Sequence, residues 1–425
     1  MSDASNIETI SLDTLILNKK IELGRGEIIS KIDIENYPGS YPIYSSSAHN
    51  NGKFGEYGRF IFNEELVSWS VDGGGDFFYR PKHKFSVTNV SGFMRIKDEA
   101  LDCKFIFYSL ALQHSYLTFD YTTKAHPSVI RKLYSLPVFS KEIQQKIATI
   151  LTSIDTAIEK TEALIHKYQQ IKAGLMHDLF TRGVTADGKL RPPREQAPEL
   201  YQETPIGWVP REWGVEEIQY LLAPIGNNLR SGPFGSALLK SELVEDGIPF
   251  LGIDNIHVEK FVDNFKRFVS EKKFLELNKY SVRPYDVVIT IMGTVGRCSV
   301  IPKTIDKALS SKHLWTMTFD TNKVIPDLIC WQLNYSAWVK AWFRRETQGG
   351  IMDAIQSNTL KKLILPVPDL PEQSRIHSRY ISLNQKLSCE QQSLRKLELQ
   401  KQGLMQDLLT GKVRVKLDQP ETADV

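Results

Sequence analysis

LPVPDLPEQSRIHSRYISLNQKLSCEQQSLRKLELQKQGLMQDLLTGKV, residues 365–413, repeats LPVFSKEIQQKIATILTSIDTAIEKTEALIHKYQQIKAGLMHDLFTRGV, residues 136–184, without a gap at a constant offset of 229. Leu136-Pro137-Val138 answers Leu365-Pro366-Val367, Gln144 answers Gln373, and Ile147 answers Ile376. At the far end Gly174-Leu175-Met176, Asp178-Leu179 and Thr181 answer Gly403-Leu404-Met405, Asp407-Leu408 and Thr410. Matches grouped at both ends of one ungapped alignment indicate an internal duplication.

Each copy reads as a long helix. In the first, apolar residues recur at Ile147, Leu151, Ile154, Ile158, Ile165, Tyr168, Leu175 and Leu179. In the second they recur at Ile376, Tyr380, Leu383, Leu387, Leu394, Leu397, Leu404 and Leu408. Spacings of three, four and seven make one continuous stripe, the pattern of a coiled-coil seam. The polar interruptions coincide as well: Thr161 answers Glu390, and Lys172 answers Lys401. About 38 helical residues span roughly 57 Å at ~1.5 Å per residue, longer than a domain core requires. Two equal helices separated by globular sequence most simply pack on each other, antiparallel.

The sequence outside the helices is duplicated more loosely. Tyr41-Pro42-Ile43-Tyr44 resembles Ile248-Pro249-Phe250-Leu251. Val67-Ser68-Trp69-Ser70, running into Asp72-Gly73-Gly74-Gly75, resembles Val287-Val288-Ile289-Thr290 running into Gly293-Thr294-Val295-Gly296. Short β-prone runs ending in glycine read as strand then turn. Phe105, Tyr108, Leu112 and Tyr116 follow helical spacing, as do Leu328, Trp331, Tyr335, Trp338 and Trp342, and read as core. Between the halves, Pro192-Pro193, Pro198, Pro205 and Pro210 predict an extended spacer. The fold class is therefore α/β: two α/β globules joined by two long helices, with a pseudo-two-fold repeat. The boundaries read as a first globule over 1–138, helix 139–183, linker 184–211, second globule 212–367, helix 368–411 and tail 412–425.

The remaining sequence excludes more than it assigns. Net charge is only +3 in 425 residues, so composition alone does not specify a nucleic-acid binder. Nothing approaches the roughly 18 apolar residues of a membrane span. The polar start, MSDASNIETISLD, does not read as a targeting signal, so a cytoplasmic location and no membrane partner are expected. Cys103, Cys298, Cys330 and Cys389 are too far apart for a zinc motif, and no metal site is expected. There is no G-x-x-x-x-G-K-[ST] and no H-E-x-x-H, and Arg191-Pro192-Pro193-Arg194 lacks the Asn/Asp and aromatic ends of an amino-methyltransferase motif. No catalytic residue is assigned.

This arrangement resembles the specificity subunits of type I restriction–modification enzymes. The second copy carries that family's pattern in full: Leu365-Pro366-Val367-Pro368, Glu372-Gln373 with Ile376, then Gly403 to Thr410. The first copy departs from it, with Phe139 in place of Pro368 and Ile143-Gln144 in place of Glu372-Gln373. Tyr41-Pro42 through Ser47, Trp69 with its glycine turn, Trp213, and Gly293 to Gly296 are also similar to the family's recognition domains. The resemblance covers essentially the whole chain. It implies a non-catalytic reader of an asymmetric, two-part site in double-stranded DNA, each globule taking one half-site and the coiled coil setting the gap. It also implies two methyltransferase subunits and restriction/translocase subunits as partners. S-adenosylmethionine, ATP and magnesium would then sit on those partners, with no cofactor on this chain. A catalytic DNA methyltransferase or nuclease, and a scaffold whose globules bind proteins, are the alternative readings.

Candidate DNA contacts follow from side-chain chemistry, since Arg, Asn and Gln read base edges while Lys and Ser hold phosphates. In the first globule these are Ser45, Ser46, Ser47, His49, Asn50, Asn51, Lys53, Arg59, Arg80, Lys82 and Lys84. In the second they are Arg230, Ser231, Arg297, Lys312, His313, Arg344, Arg345 and Gln348.

Overall fold

The computed structural model describes residues 7–47, 49–72, 75–117, 124–347 and 355–417, and the side chains of His49 and Thr347 lie outside that description. The chain divides into two compact units, residues 1–164 with 390–425, and residues 165–389. The division falls within both long helices, because each half-helix packs on its own globule.

The two long helices are continuous, Lys141–Thr181 and Leu370–Leu409. In the first unit Ile147, Ala148 and Leu151, near the start of one helix, share a core with Leu408 and Leu409, at the end of the other. In the second unit Met176, Leu179 and Phe180 share a core with Ile376 and Tyr380. Start packs on end in both units, which is the antiparallel arrangement. Of the seam residues, Ile147, Leu151, Ile154, Ile165, Ile376, Tyr380 and Leu383 are buried. Ile158, Tyr168, Leu175, Leu387, Leu394, Leu397 and Leu404 are half-buried.

The globule of the first unit is a six-stranded sheet. Its order is Ile21–Arg25, Ser91–Ile96, Phe62–Ser70, Phe77–Val87, Tyr41–Tyr44, Lys53–Tyr57. All neighbours are antiparallel except Tyr41–Tyr44, which runs parallel to Phe77–Val87 through Ile43↔Ser86 and Tyr44↔Val87. Helix Cys103–His114 covers one face, capped by the Asp102 carboxylate accepting from the Phe105 amide. Trp69, Phe105, Ile106 and Leu110 fill the core beneath it.

The second unit repeats this order in two sheets. The first runs Leu229–Arg230, Leu314–Met317, Val287–Thr290, Cys298–Val300. The second continues with Leu309–Ser310, Ile248–Leu251, Phe268–Val269 and Leu243–Val244. Again one pair is parallel, Phe250↔Leu309 and Leu251↔Ser310. The long strand Phe77–Val87 is thus replaced by two short ones, Cys298–Val300 and Leu309–Ser310. Proline marks the same point in each: Pro81 lies where the first strand's register shifts, and Pro302 follows the break in the second. Proline lacks an amide donor, so a ladder bulges or ends there.

Two sequence expectations change. The stripe from Leu328 to Trp342 is two helices, Pro326–Tyr335 and Ala337–Thr347, with Ser336 extended between them. The segment expected to be an extended spacer is folded: Tyr201–Thr204 and Gly207–Pro210 form a hairpin. Arg191, inside that segment, is buried against Glu372 of the second helix in a two-pronged ion pair. Glu372 also accepts from the Trp213 indole at 3.0 Å and the Val184 amide at 2.8 Å. Burial opposes the charge on Arg191, but the bonds to Glu372 and Glu212 outweigh it and keep the guanidinium protonated.

Candidate nucleic-acid interface

In each globule one loop leaves the parallel strand, and some of the candidate contacts lie on it or beside it. In the first, the chain after Tyr44 turns back to Lys53, closed by the Ser45 amide donating to the Gly52 carbonyl at 2.8 Å. Asn50, Asn51 and Gly52 take φ of 51°, 51° and 76° in succession. That left-handed run suits Asn and Gly and few other residues. Ser47, Asn50, Asn51 and Lys53 are exposed, Ser45 and Ser46 half-buried. Lys53 is paired with Glu56 at 2.6 Å. Gln348 lies outside the described residues, as does the His49 side chain.

Arg80 is not part of the exposed set. It is 1% exposed and sits beneath the loop, so it cannot offer its guanidinium to DNA. Its Nε donates to Ser68 Oγ at 2.9 Å and its Nη1 to the Asn51 carbonyl at 2.7 Å. The guanidinium lies 3.7 Å from the Tyr44 ring centroid, and its Nη2 is buried without a partner. Burial among neutral groups pushes its pKa down to about 10. Arg80 braces the loop from below.

Lys82 and Lys84 alternate on the open face of the strand Phe77–Val87 and are exposed. Lys84 Nζ lies 4.9 Å from the Phe60 ring, and the Arg59 guanidinium lies 3.3 Å over Tyr37. Phe54, Phe60 and Tyr37 are themselves exposed, at 57%, 41% and 38%. Cations beside exposed rings can hold phosphates and stack on bases. Sequence alone passes over these aromatics because a lone aromatic in a β-rich segment reads as core.

In the second globule Arg230 requires the same correction as Arg80. It is 5% exposed and forms a buried ion pair with Asp286, which is 0% exposed. Its Nε also donates to the Ser281 carbonyl at 2.6 Å, and the Thr318 hydroxyl donates to Asp286 at 2.5 Å. Burial pushes the Asp286 carboxyl up and the Arg230 guanidinium down, against their mutual attraction. Ser231 is buried too, its hydroxyl 3.4 Å from the Lys312 carbonyl. The chain crosses closely there: a Cβ on Gly232 would lie 2.1 Å from the Ser310 carbonyl oxygen.

Lys312 is exposed and His313 half-buried; with Lys240 and Phe250 they line a pocket of about 190 Å3. Burial, and then Lys312 and Arg267, push the His313 imidazole down. Arg297, on the Gly293–Gly296 turn, lines an open cleft of about 600 Å3 with His257 and Lys260. His257 and Lys260 belong to the loop leaving Ile248–Leu251, the counterpart of residues 45–53, and were missed because the two loops share no sequence. Arg344 and Arg345 are exposed on a separate element, the helix Ala337–Thr347. Among the described residues no group of His, Cys, Asp or Glu could hold a metal ion, and no helix is long and apolar enough to cross a membrane.

The family model described as "Type I restriction modification DNA specificity domain" matches residues 20–169 and 235–399, one match on each half of the duplication. The chain belongs to this type I DNA specificity family. It is 26% identical over 399 residues to the type I restriction enzyme MjaVIII specificity subunit of Methanocaldococcus jannaschii, across 90% of this chain and 88% of that protein. It is 37% identical over 139 residues to the N-terminal part of a putative type I specificity subunit of Mycoplasma pneumoniae, across 31% of this chain and 71% of that protein. The S subunit of a type I restriction–modification system from M. genitalium superposes with a TM-score of 0.59 at 17% identity, over 96% of this chain and 98% of that one. At that identity the likeness speaks for the fold. Within the family fold, this chain's exposed side chains differ between its two strand-exit loops: Asn50-Asn51 with Lys53 in one, His257 with Lys260 in the other.

Proposed function

We propose that this chain is the non-catalytic DNA-reading subunit of a type I restriction–modification complex, directing it to an asymmetric, two-part target. The observation that carries this reading is the repetition of one sheet order with two different loops, both attached to one pair of repeated helices. A duplicated frame with diverged loops suits two half-sites of different sequence. A shared helix pair suits a fixed gap, as dimeric readers take half-sites about one helical turn apart. Phosphate contacts by Lys82, Lys84, Lys312 and Lys260 would position the duplex, and Asn50, Asn51 and Arg297 have the donors and acceptors to read base edges.

On this reading two methyltransferase subunits bind the helical region and restriction/translocase subunits complete the complex, in the cytoplasm. S-adenosylmethionine, ATP and magnesium belong to those partners, and this chain binds none of them.

The test is selection of bound duplexes from a random pool, using the chain co-expressed with its methyltransferase subunit. Two short, different motifs at one fixed gap are expected. A folded complex that enriches nothing at low salt favours the protein-binding scaffold.

A further inference from the structure

We propose that Glu259 is the positioning residue that fixes the second globule's strand-exit loop on the paired helices, and so sets the gap at which the second half-site is read. The proposal rests on the reading of the chain as a two-part DNA reader. Glu259 lies between His257 and Lys260 on the loop leaving the parallel strand Ile248–Leu251. Its backbone takes a φ of 59°, a left-handed conformation that a residue with a side chain adopts only when its surroundings enforce it. The Glu259 amide donating to the Cys298 carbonyl at 3.0 Å holds the loop to the sheet.

The Glu259 side chain is 13% exposed and ends on both long helices. Its Oε2 lies 2.8 Å from Lys172 Nζ, on the first helix. Its Oε1 accepts from the Tyr380 hydroxyl, on the second. The Lys172 ammonium also lies 5.0 Å from the centroid of the Tyr380 ring. Burial first, and then the Glu259 carboxylate, push the Tyr380 hydroxyl well above its ordinary range, so it remains a donor. One carboxylate therefore joins a reading loop to two helices. Sliding the loop along them would part a half-buried carboxylate from a half-buried ammonium, 13% and 21% exposed, and leave both short of partners.

The other unit makes the same trio differently. Lys401, the repeat mate of Lys172, lies 2.7 Å from Asp155, which accepts from the Tyr108 hydroxyl at 2.6 Å. There the carboxylate belongs to the first helix and the tyrosine to the helix covering the sheet. A lysine that weakens an apolar seam recurs in both copies, and in both it ends on a carboxylate shared with tyrosine. Only in the second unit does that carboxylate come from the reading loop.

The experiment is duplex selection with the full chain and its methyltransferase subunit, comparing wild type, Glu259→Gln and Tyr380→Phe. Glu259→Gln is expected to retain both half-motifs while its preference for the native gap over gaps one base pair longer or shorter falls about tenfold, equivalent to about 1.4 kcal/mol. Tyr380→Phe keeps the buried ring, loses the hydroxyl's bond to Glu259 together with its contacts to Tyr335 and Asn384, and is expected to shift the gap preference in the same direction by less. A Glu259→Gln complex that keeps the wild-type gap preference overturns the proposal. If Glu259→Gln does not fold, Tyr380→Phe decides: a broadened gap supports the proposal and an unchanged one overturns it. A wild-type complex that enriches no two-part motif overturns the underlying reading, and this proposal with it.

Discussion

Gln144 and Gln373, separated by 229 positions, make the same three hydrogen bonds in their two units. Gln144 Oε1 accepts from the Asp102 amide at 2.9 Å, and its Nε2 donates to the Ala100 and Phe139 carbonyls at 3.1 and 2.9 Å. Gln373 Oε1 accepts from the Ile325 amide at 2.8 Å, and its Nε2 donates to the Lys323 and Pro368 carbonyls at 2.8 and 2.9 Å. Each buried amide clamps the start of a long helix to the chain entering the helix over the sheet.

Gln373→Leu fills the same space and leaves one amide and two carbonyls unpartnered. Each buried group left so costs about 1–3 kcal/mol, so a loss on the order of 3 kcal/mol or more is expected in a denaturant titration. Gln144→Leu should behave alike in its own unit. A loss below ~1 kcal/mol would mean that the clamp adds nothing beyond packing.

Glu372 carries the folded linker. Glu372→Gln should cost about 3 kcal/mol, because it leaves the buried Arg191 guanidinium with only the exposed Glu212 as counter-charge. Proteolysis between residues 185 and 212 should become faster at the same time. The pair Arg191→Met with Glu372→Gln removes the buried charge pair and keeps an acceptor for the Trp213 indole and the Val184 amide, so it should recover part of the stability, and failure to recover any would show that the charge itself is needed.

The repetition made the helices legible in sequence, because each seam position is confirmed 229 residues away. The two strand pairs were legible at Tyr41-Pro42 and Ile248-Pro249, whose likeness reflects the same parallel pairing in each unit. The buried arginines were not. Arg80 and Arg230 read as DNA-facing cations and Arg191 as part of an extended spacer, since the carbonyls and carboxylates that receive them, at Asn51, Asp286 and Glu372, are distant in sequence. The fold of the linker is not legible for the same reason, as proline density says nothing about a partner 181 residues ahead. The departure of Ile143 from the family's glutamate now has a physical counterpart: the arginine that needs that carboxylate, Arg191, packs on the second copy.

Arg80 and the exposed lysines should separate in solution. Lys82→Ala with Lys84→Ala should weaken binding almost equally on all sequences and lower the salt slope by about 0.9 for each phosphate no longer neutralised. Arg80→Met removes the brace on the Asn51 carbonyl, and should relax base preference in the first half-site only. Binding isotherms over a salt series, with duplexes altered in one half-site at a time, check both. Equal loss of preference in both half-sites for Arg80→Met would contradict the placement of Arg80 under a first-globule loop.

Lengthening both helices tests whether they act as the ruler. One heptad inserted after Ile158 and one after Leu387 preserve the three-four seam spacing, so apolar residues still meet apolar residues. Seven residues add about 10.5 Å to a helix at ~1.5 Å per residue, or about three base pairs at ~3.4 Å each. The neighbours of the polar seam residues matter here. Lys172 with Glu259 and Lys401 with Asp155 both lie outside the inserted turns, so each docking trio is kept intact. Duplex selection with the lengthened chain should return unchanged half-motifs separated by a gap longer by about three base pairs. A heptad in one helix alone should instead disrupt the seam and lower stability. An unchanged gap in a stable, doubly lengthened chain would show that something other than the helix pair, such as the bound methyltransferases, sets the spacing.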